Sequence, residues 1–302
     1  MAIAYRNPYL CQMHKAGYIN IIGSPNVGKS TLTNAILGQK LAITTAKAQT
    51  TRHRILGMLN TDEYQMILSD TPGIIEPAYK LQESMMEAMQ SVFSDADVLI
   101  YMVEIGEKSG KNEAIVKRLA KTSMPVFLVI NKIDIGNQTM LDETIDAWKA
   151  QLPNATVRSI SALENFQIDG LIEEIVTLLP EHPPYFPKDQ LTDRSERFVV
   201  NEVIREKILV LYDKEIPYSV EVETESFKPS EDIIRIRSII YVERDSQKGI
   251  IIGHKGSSLK KVGTMARKEL EQFFNQKIHL ELYVKVHKDW RSKPNMLKRF
   301  GY

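Results

Sequence analysis

The sequence is poor in cysteine and tryptophan and contains no long apolar run; its one cysteine among 302 residues is Cys11. A single cysteine cannot form an intramolecular disulfide bond, which excludes a small disulfide-held secreted scaffold and is typical of a reducing compartment. No stretch approaches the roughly 18 consecutive apolar residues that a membrane-spanning helix needs, so an integral membrane protein is excluded. The N-terminus also lacks the apolar core of a signal peptide. We therefore expect a cytoplasmic globular protein, which agrees with 43% hydrophobic and 25% charged residues.

The formal net charge of +1 hides an uneven distribution of charge along the chain. Residues 1–180 hold 16 basic and 19 acidic side chains, residues 181–243 hold 9 and 14, and residues 244–302 hold 14 and 5. The C-terminal segment therefore has a net charge of +9 and is suited to bind a polyanion. On charge alone, a solvated basic surface without a partner stays open as the alternative.

Up to residue 179, short apolar strands alternate with amphipathic helices. This pattern is typical of an α/β domain, a mostly parallel sheet covered by helices on both faces. A stretch at 180–187 then predicts a stiff, extended linker, because its four prolines cannot continue a helix. The predicted strands are 18–22, 65–68, 98–103, 126–130 and 156–160, and the predicted helices are Lys29–Leu37, 80–94, 110–121, 139–151 and 167–179.

Beyond the linker the pattern changes to an α+β arrangement with antiparallel character. In chain order it comprises a helix at 198–211, strands at 218–224 and Ile233–Val242, a helical stretch at 248–274 that glycines interrupt at 253–256, and a strand at Lys277–Val286.

These patterns predict two domains of different architecture. The α/β domain is expected at 17–180, after an N-terminal extension at 1–16. The linker is expected at 181–196, and the α+β domain at 197–302.

The segment between the first strand and the first helix reads GSPNVGKS, a glycine-rich phosphate-binding loop. Glycines allow backbone N–H groups to surround a β-phosphate, Lys29 can reach the β- and γ-phosphates, and the Ser30 hydroxyl can bind Mg²⁺. A chance glycine-rich turn is disfavoured, because the strand and the helix are both in place. The predicted phosphate site comprises Gly23, Ser24, Pro25, Asn26, Val27, Gly28, Lys29, Ser30 and Thr31.

Two further segments are expected to meet the phosphates and the metal ion. At the end of the 65–68 strand, Asp70 can hold Mg²⁺ through water and the N–H group of Gly73 can sense a γ-phosphate; Thr71 and Pro72 complete this turn. In the KAQTTR stretch at 47–52, Thr51 is preferred over its neighbour as the residue that closes over Mg²⁺ and the γ-phosphate. A plain β-turn and a polar surface loop, respectively, are the alternatives.

The base specificity is predicted from the NKID motif after the 126–130 strand, which supplies Asn131, Lys132 and Asp134. The Asp134 carboxylate can accept N–H bonds from N1 and from the 2-amino group of guanine, whereas adenine offers no such pair. An exposed turn of mixed charge is the alternative. After the next strand, Ser161, Ala162 and Leu163 can supply a backbone N–H group to guanine O6.

The sequence motifs GSPNVGKS, QTTRHR, DTPGI, NKID and SAL resemble those of a translation-factor-class GTPase domain. Together with the second domain, the chain is similar to the bacterial Era family of GTPases from about Met13 to Tyr302. The resemblance implies binding of GTP and GDP and hydrolysis of GTP by water, with Lys29, Thr51 and Gly73 as the catalytic set. Ser24 departs from the residue that other members often carry, and we expect its side chain to face solvent.

One hydrophobic residue bears on how hydrolysis is catalysed. Ras-like enzymes place a glutamine directly after the DxxG glycine to orient water, and here that position is Ile74. The resemblance implies that Asn26 helps to hold a potassium ion beside the phosphates, which can replace an arginine finger. A role in shaping the loop is the alternative for Asn26.

The basic second domain contains the sequence Gly253, His254, Lys255, Gly256 between two predicted helices. It resembles the GXXG loop of a type II KH domain, which clamps about four nucleotides of RNA. A helix-turn-helix corner with a solvated basic face is the alternative. The predicted RNA-binding residues are Ile252, Gly253, His254, Lys255, Gly256, Lys260 and Lys261.

The resemblance also implies partners and a biological role. The RNA would be the 3′ end of small-subunit (16S) ribosomal RNA, and the role would be biogenesis of the 30S subunit. We expect a monomer, with peripheral contact to the inner membrane as a family trait. The alternatives are an RNA-binding chaperone with a structural nucleotide site and a membrane-associated regulatory GTPase. Trp290 and Leu297 in the basic tail are expected to cap the second domain rather than to bind bases.

Overall fold

A computed structural model describes residues 14–47 and 49–302; Cys11 and most of the predicted extension lie outside the described residues. The N-terminal half forms a six-stranded sheet in the order β2-β3-β1-β4-β5-β6, in which β2 is antiparallel and the other strands are parallel. Its strands are β1 (Lys15–Gly23), β2 (Ile55–Asn60), β3 (Tyr64–Asp70), β4 (Val98–Glu104), β5 (Val126–Asn131) and β6 (Thr156–Ser159). Its helices are α1 (Lys29–Leu37), α2 (Lys80–Gln90), α3 (Glu113–Lys121), α4 (Gln138–Lys149) and α5 (Ile168–Leu178).

Helices cover both faces of this sheet, as the alternation of strands and helices predicts. Side chains of a strand point alternately to opposite faces, so in β4 Ile100 belongs to one hydrophobic cluster and Leu99 to the other. Helices α1 and α5 pack into the first cluster, whereas α2, α3 and α4 pack into the second. The predicted α/β architecture is therefore confirmed.

The sheet differs from the prediction at two strands. The antiparallel edge strand β2 was not expected, because Gly57 interrupts its apolar run; an ideal Cβ on Gly57 would lie 2.5 Å from Leu37 Cδ1, so the glycine permits helix α1 to approach. Strand β1 begins at Lys15, before the predicted start at 18 and inside the predicted extension. Lys15 belongs to the strand because it pairs with Tyr64 of β3, and its ammonium group also donates to the carbonyl oxygens of Val176 and Thr177.

The C-terminal half is a two-layer α+β structure. It has a three-stranded sheet in the order β7-β8-β9, and helices pack on one face of this sheet. The predicted antiparallel character holds for β7 and β8 only, because β9 runs parallel to β8. The elements are α6 (Glu196–Leu211), α7 (Ile216–Ser219), β7 (Glu221–Lys228), β8 (Ile233–Val242), α8 (Asp245–Ile252), α9 (Ser257–Phe274), β9 (Lys277–Val286) and α10 (Pro294–Arg299). No helix in the described part of the chain is long and apolar enough to span a bilayer.

The predicted linker at 181–196 packs against the first sheet. The N–H group of Met58 donates to the carbonyl oxygen of Leu191 at 2.8 Å, so the segment continues the hydrogen bonding of the edge strand β2. The side-chain oxygen of Gln65, which is fully buried, accepts from the N–H groups of Tyr185 and Phe186. The segment is thus extended, as predicted, but its backbone is held by the first domain.

The residues after β9 return to the boundary between the two halves. Trp290 is fully buried and donates from Nε1 to the carbonyl oxygen of Ser219 at 2.9 Å, and Leu297 belongs to the second hydrophobic cluster. The ring of Tyr302 stacks on His53 at 4.2 Å between ring centroids. Burial at this boundary lowers the pKa of His53 to about 4. The tail therefore joins the two halves, and its buried tryptophan is not available to stack on a base.

Candidate nucleotide site and KH groove

A cavity of about 680 Å³ opens where the parallel strands of the first sheet end. Ligands of open α/β sheets bind at the carboxyl ends of the strands. Thirteen of the predicted residues line this cavity. They come from the GSPNVGKS, DTPG, NKID and SAL motifs and from Thr51 of the KAQTTR stretch. They are Pro25, Asn26, Gly28, Lys29, Ser30, Thr31, Thr51, Thr71, Gly73, Asn131, Lys132, Asp134 and Leu163.

The phosphate loop and the NKID motif are bound directly to each other. Gly28 has a left-handed φ of 103°, and an ideal Cβ there would lie 2.2 Å from Asn131 Nδ2, so only glycine fits. The same Asn131 amide donates to the carbonyl oxygen of Val27 at 2.8 Å. Asn131 therefore braces the loop, while Val27 is buried beneath it.

Lys29 is the cation of the phosphate loop and is almost completely buried. Its ammonium group donates to the carbonyl oxygens of Gly23 and Ser24 at 3.1 and 2.8 Å. Burial lowers the pKa of Lys29 to about 8, and the nearby carboxylates of Asp70 and Glu107 act in the opposite direction. A phosphate beside this ammonium would add negative charge and favour its protonated form.

Three side-chain oxygens converge at the predicted magnesium site. The Ser30 hydroxyl donates to Asp70 Oδ2 at 2.7 Å and lies 2.8 Å from the Thr51 hydroxyl, which contacts the same carboxylate oxygen at 3.2 Å. The other oxygen, Asp70 Oδ1, is buried without a hydrogen-bond partner among the described residues. Burial raises the pKa of Asp70. An all-oxygen set with one carboxylate fits Mg²⁺, which is usually held by one or two carboxylates together with phosphates.

The DTPG turn lies directly against the phosphate loop. The N–H group of Ile74 donates to the carbonyl oxygen of Gly23 at 3.1 Å, and an ideal Cβ on Gly73 would lie 2.8 Å from Pro25. A glycine is therefore required for this contact. The Thr71 hydroxyl donates to the Ile21 carbonyl at 2.6 Å, and Pro72 is buried.

The base end of the cavity is formed by the segments that contain Asp134 and Ser161. The Ser161 hydroxyl donates to Asp134 Oδ1 at 2.5 Å and orients this carboxylate. The Ala162 N–H group donates to Asn131 Oδ1 at 2.9 Å. A backbone N–H group of the 161–163 segment as the donor to guanine O6 stays a prediction. Two exposed apolar side chains, Leu163 at 73% and Ile135 at 67% exposure, also line this end of the cavity. Ile135 was missed because a single apolar residue in a polar turn carries no periodic signal.

The expectation that Ser24 faces solvent is wrong. Its hydroxyl donates to Glu107 Oε1 at 3.0 Å and accepts from Asn112 Nδ2 at 3.1 Å, because the loop after β4 folds over the phosphate loop. The neighbouring Asn26 is exposed, has a left-handed φ of 64° and donates from Nδ2 to the carbonyl oxygen of Ala46 at 3.0 Å. Asn26 thus links the phosphate loop to the segment that carries Thr51.

More of that threonine segment lines the cavity than the KAQTTR pattern indicates. Residues 43–46 precede the KAQTTR stretch and have no motif of their own, whereas Gln49 and Thr50 lie inside the stretch, from which only Thr51 was chosen; Ala48 lies outside the described residues. The additional lining residues are Ile43, Thr44, Thr45, Ala46, Gln49 and Thr50.

In the second domain, the predicted GXXG loop connects α8 to α9. Gly253 has a left-handed φ of 70°, and an ideal Cβ there would lie 2.2 Å from the Ser258 hydroxyl. Gly256 is also left-handed, with a φ of 79°, and nothing lies within 4 Å of its ideal Cβ. The first glycine is thus required by a close contact, and the second leaves the backbone open to a ligand. His254 and Lys255 are exposed at the tip of the loop, and Ile252 ends α8.

A groove of about 370 Å³ runs from this loop along α9 beside β9. Lys260 lines it, whereas Lys261 is exposed on α9 and does not. Sequence reasoning missed most of the lining, although the spacing of three or four residues along α9 could have indicated one helix face. The missed residues are Leu259, Gly263, Thr264, Arg267, Leu280 and Leu282.

The fold and the site define a P-loop GTPase followed by a KH domain. The family model described as "50S ribosome-binding GTPase" matches residues 18–132, and the KH domain model matches residues 215–291. A crystal structure of Era in complex with MgGDPNP and nucleotides 1506–1542 of 16S ribosomal RNA is 41% identical, with a TM-score of 0.91, over 96% of this chain and 99% of that chain. A variant of Aquifex aeolicus Era bound to GDP and AlF₄⁻ is also 41% identical, with a TM-score of 0.91, over 95% of this chain and 99% of that one.

The chain therefore belongs to the Era family of GTPases. GTP hydrolysis is its reaction, and the α/β GTPase domain followed by a type II KH domain is confirmed.

Proposed function

We propose that this GTPase binds the 3′ end of 16S ribosomal RNA through its KH groove and assists biogenesis of the 30S subunit. The observation that carries the proposal is the near full-length similarity to an Era structure that holds this RNA. The left-handed glycines of the GXXG loop and the basic groove beside it suit a single strand of RNA, because they permit close approach to its phosphates. Era family membership disfavours the RNA chaperone with a structural nucleotide site.

We assign the predicted residues to roles in GTP binding and hydrolysis. The Lys29 ammonium and the loop N–H groups bind the phosphates, Asp134 selects guanine, and Ser30, Thr51 and Asp70 hold Mg²⁺. When bound, Mg²⁺ neutralises phosphate charge. Among the described residues that line the cavity, Asp134 is the one carboxylate, and it lies at the base end. Catalysis by these residues is therefore positioning and electrostatic stabilisation of attack by water, with no general-base side chain.

We also propose the predicted domain limits, a GTPase domain at 17–180, a linker at 181–196 and a KH domain at 197–302, with two changes: the GTPase domain begins with β1 at Lys15, and the KH domain begins with α6 at Glu196. The separate hydrophobic cluster of the C-terminal half supports this division. We further propose a cytoplasmic monomer whose contact with the inner membrane is peripheral, on the basis of the family resemblance.

Crosslinking to RNA tests the proposed function. With GDPNP and purified 30S subunits, we expect ultraviolet crosslinks between the 3′ end of 16S RNA and peptides from the GXXG loop and the groove-facing side of α9. The same experiment with RNA that lacks this 3′ sequence is the control. Crosslinks that map to other RNA segments, or to the GTPase domain alone, would contradict the proposal.

We predict that GTP hydrolysis is faster in potassium than in sodium by about one order of magnitude. No glutamine follows Gly73, and the exposed Asn26 carries an amide oxygen beside the phosphate loop, while its Nδ2 donates to the Ala46 carbonyl oxygen at 3.0 Å. Potassium held there would place positive charge near the transition state. Steady-state rates in the two salts, for the parent and for Asn26→Ala, measure this. Equal rates in both salts for the parent would leave Asn26 with only a loop-shaping role.

A further inference from the structure

The segment that carries Thr51 is held by the KH domain over most of its length. We call residues 40–47 and 49–54 the switch segment. Its Lys40 lies 2.8 Å from the Glu206 carboxylate and 2.6 Å from Glu269, and its Lys47 lies 2.8 Å from Asp213. Glu206 belongs to α6, and Asp213 follows that helix. Acidic groups of the KH domain thus meet basic groups of the switch segment.

The two residues that flank Thr51, which are Thr50 and Arg52, both form hydrogen bonds with the KH domain. The guanidinium group of Arg205, from α6, donates to the carbonyl oxygen of Thr50. On the other side, Arg52 is fully buried and donates to the Val220 carbonyl at 2.8 Å and to Glu221 at 3.0 Å. Between these two residues, the Thr51 hydroxyl points the other way, toward Ser30 and Asp70. The KH domain therefore sets the backbone position from which this hydroxyl reaches the metal site.

Arg205 is suited to this task because its own side chain is buried and bound to Glu202. Its Nε donates to Glu202 Oε1 at 2.9 Å, Nη2 contacts the second carboxylate oxygen, and the side chain is 1% exposed. Burial alone would raise the pKa of Glu202, but Arg205 outweighs it and the pKa is lowered. Both groups are therefore charged, and the planar guanidinium fork has one orientation.

We propose that Arg205 of the KH domain is a positioning residue for GTP hydrolysis, which holds the Thr50 carbonyl so that the Thr51 hydroxyl stays beside Ser30 and Asp70. The inference rests on the role proposed above for Thr51. It makes the KH domain part of the hydrolytic centre in addition to its part in RNA binding. Because GDP has no γ-phosphate for Thr51 to close over, the contact should matter for turnover and little for GDP affinity.

A double-mutant cycle tests whether Arg205 acts through Thr51. Removing Arg205 alone would leave Glu202 as an uncompensated buried charge, so both are neutralised together as Arg205→Met with Glu202→Gln. We expect this pair to lower kcat on the order of ten- to a hundredfold, with the Kd for a fluorescent GDP analogue unchanged within about twofold. Arg205→Lys, which keeps the charge on a single donor nitrogen, should recover part of kcat.

The decisive comparison is made in the Thr51→Ala background. There the neutral pair should change kcat by no more than about twofold, because the hydroxyl that it positions is already absent. The same chemical change in a KH-domain pair that does not contact the switch segment, Arg299→Met with Glu223→Gln, is the matched control and should leave kcat at the parent value.

Three results would overturn the inference. Equal loss of kcat in both backgrounds would mean that Arg205 supports the fold and not Thr51. An unchanged kcat in the neutral pair would remove any role for Arg205. A Thr51→Ala protein with full activity would remove the role of Thr51 itself. None of these results would affect RNA crosslinking at the GXXG loop, so failure of this inference is distinguishable from failure of the proposed RNA function.

Discussion

Replacing Asp134 with asparagine is expected to move the base preference from guanine to xanthine, with the affinity for GTP reduced roughly 10²- to 10⁴-fold. The Asp134 carboxylate can accept both the N1 and the 2-amino N–H groups of guanine. An asparagine amide would turn a donor toward one of these donors and leave a polar group unpaired. The 2-oxo group of xanthine accepts a hydrogen bond from that same amide, so XTP should gain what GTP loses.

The orientation of Asp134 makes this outcome specific to its carboxylate. The Ser161 hydroxyl already donates to Oδ1, which fixes the plane of the group at the base end of the cavity. Competition of GTP and XTP against a fluorescent guanine nucleotide measures the exchange. Asp134→Ala is the control, because it should lose GTP affinity without gaining XTP. An Asp134→Asn protein that still prefers GTP would contradict the assignment of base selection to this residue.

Residues whose chemistry is local could be predicted from the sequence. Lys29 and Ser30 belong to one short loop whose conformation the neighbouring strand and helix impose, and the structure places both in the cavity. Asp70 and Asp134 follow predicted strands, and parallel strands bring their carboxyl ends to the same edge of a sheet. Motif order and strand position were therefore enough to bring these four residues together.

Contacts between distant segments could not be predicted, because no periodicity marks them. The bond from the Ala162 N–H group to Asn131, which is 31 residues away, was not predicted. Ser24 was expected in solvent from the family resemblance, but the loop that carries Glu107 returns over it. In each case the partner is supplied by the fold and not by neighbours in the chain.

The boundary between the domains shows the same limit on a larger scale. A proline-rich linker predicts two halves that behave independently, yet Arg52 is buried against Glu221, 169 residues away. A buried ion pair requires two complementary side chains, and the sequence contains many arginines and glutamates that could serve. Which of them meet is decided by how the KH domain packs on the switch segment. The contacts described above do not involve the GXXG loop, since they come from α6, Asp213, the turn at 217–221, Glu269 of α9 and the C-terminal tail.

This separation predicts that RNA binding can be removed without loss of GTP hydrolysis. We expect His254→Asp with Lys255→Asp to abolish most of the affinity for single-stranded RNA, while intrinsic hydrolysis stays close to that of the parent. Both side chains are exposed at the tip between α8 and α9, where the two left-handed glycines let a phosphodiester backbone approach. Two carboxylates there would repel the phosphates.

Salt titration of RNA binding tells a specific clamp from general attraction to the basic domain. For the parent, a clamp on about four nucleotides together with Lys260 and Lys261 predicts a log–log slope on the order of −2 to −4, at about −0.7 per phosphate contacted. Lys111→Asp with Lys121→Ala is the matched control, because it makes the same change in net charge at exposed positions of the GTPase domain. If both variants lose affinity equally, the attraction is general. If the loop variant binds RNA as tightly as the parent, the loop is not the clamp.

In that second case the basic face of the KH domain would need another polyanion as its ligand. Flotation with vesicles of anionic lipid would be the first test, because a lipid surface is bound through charge alone and does not require the left-handed glycines.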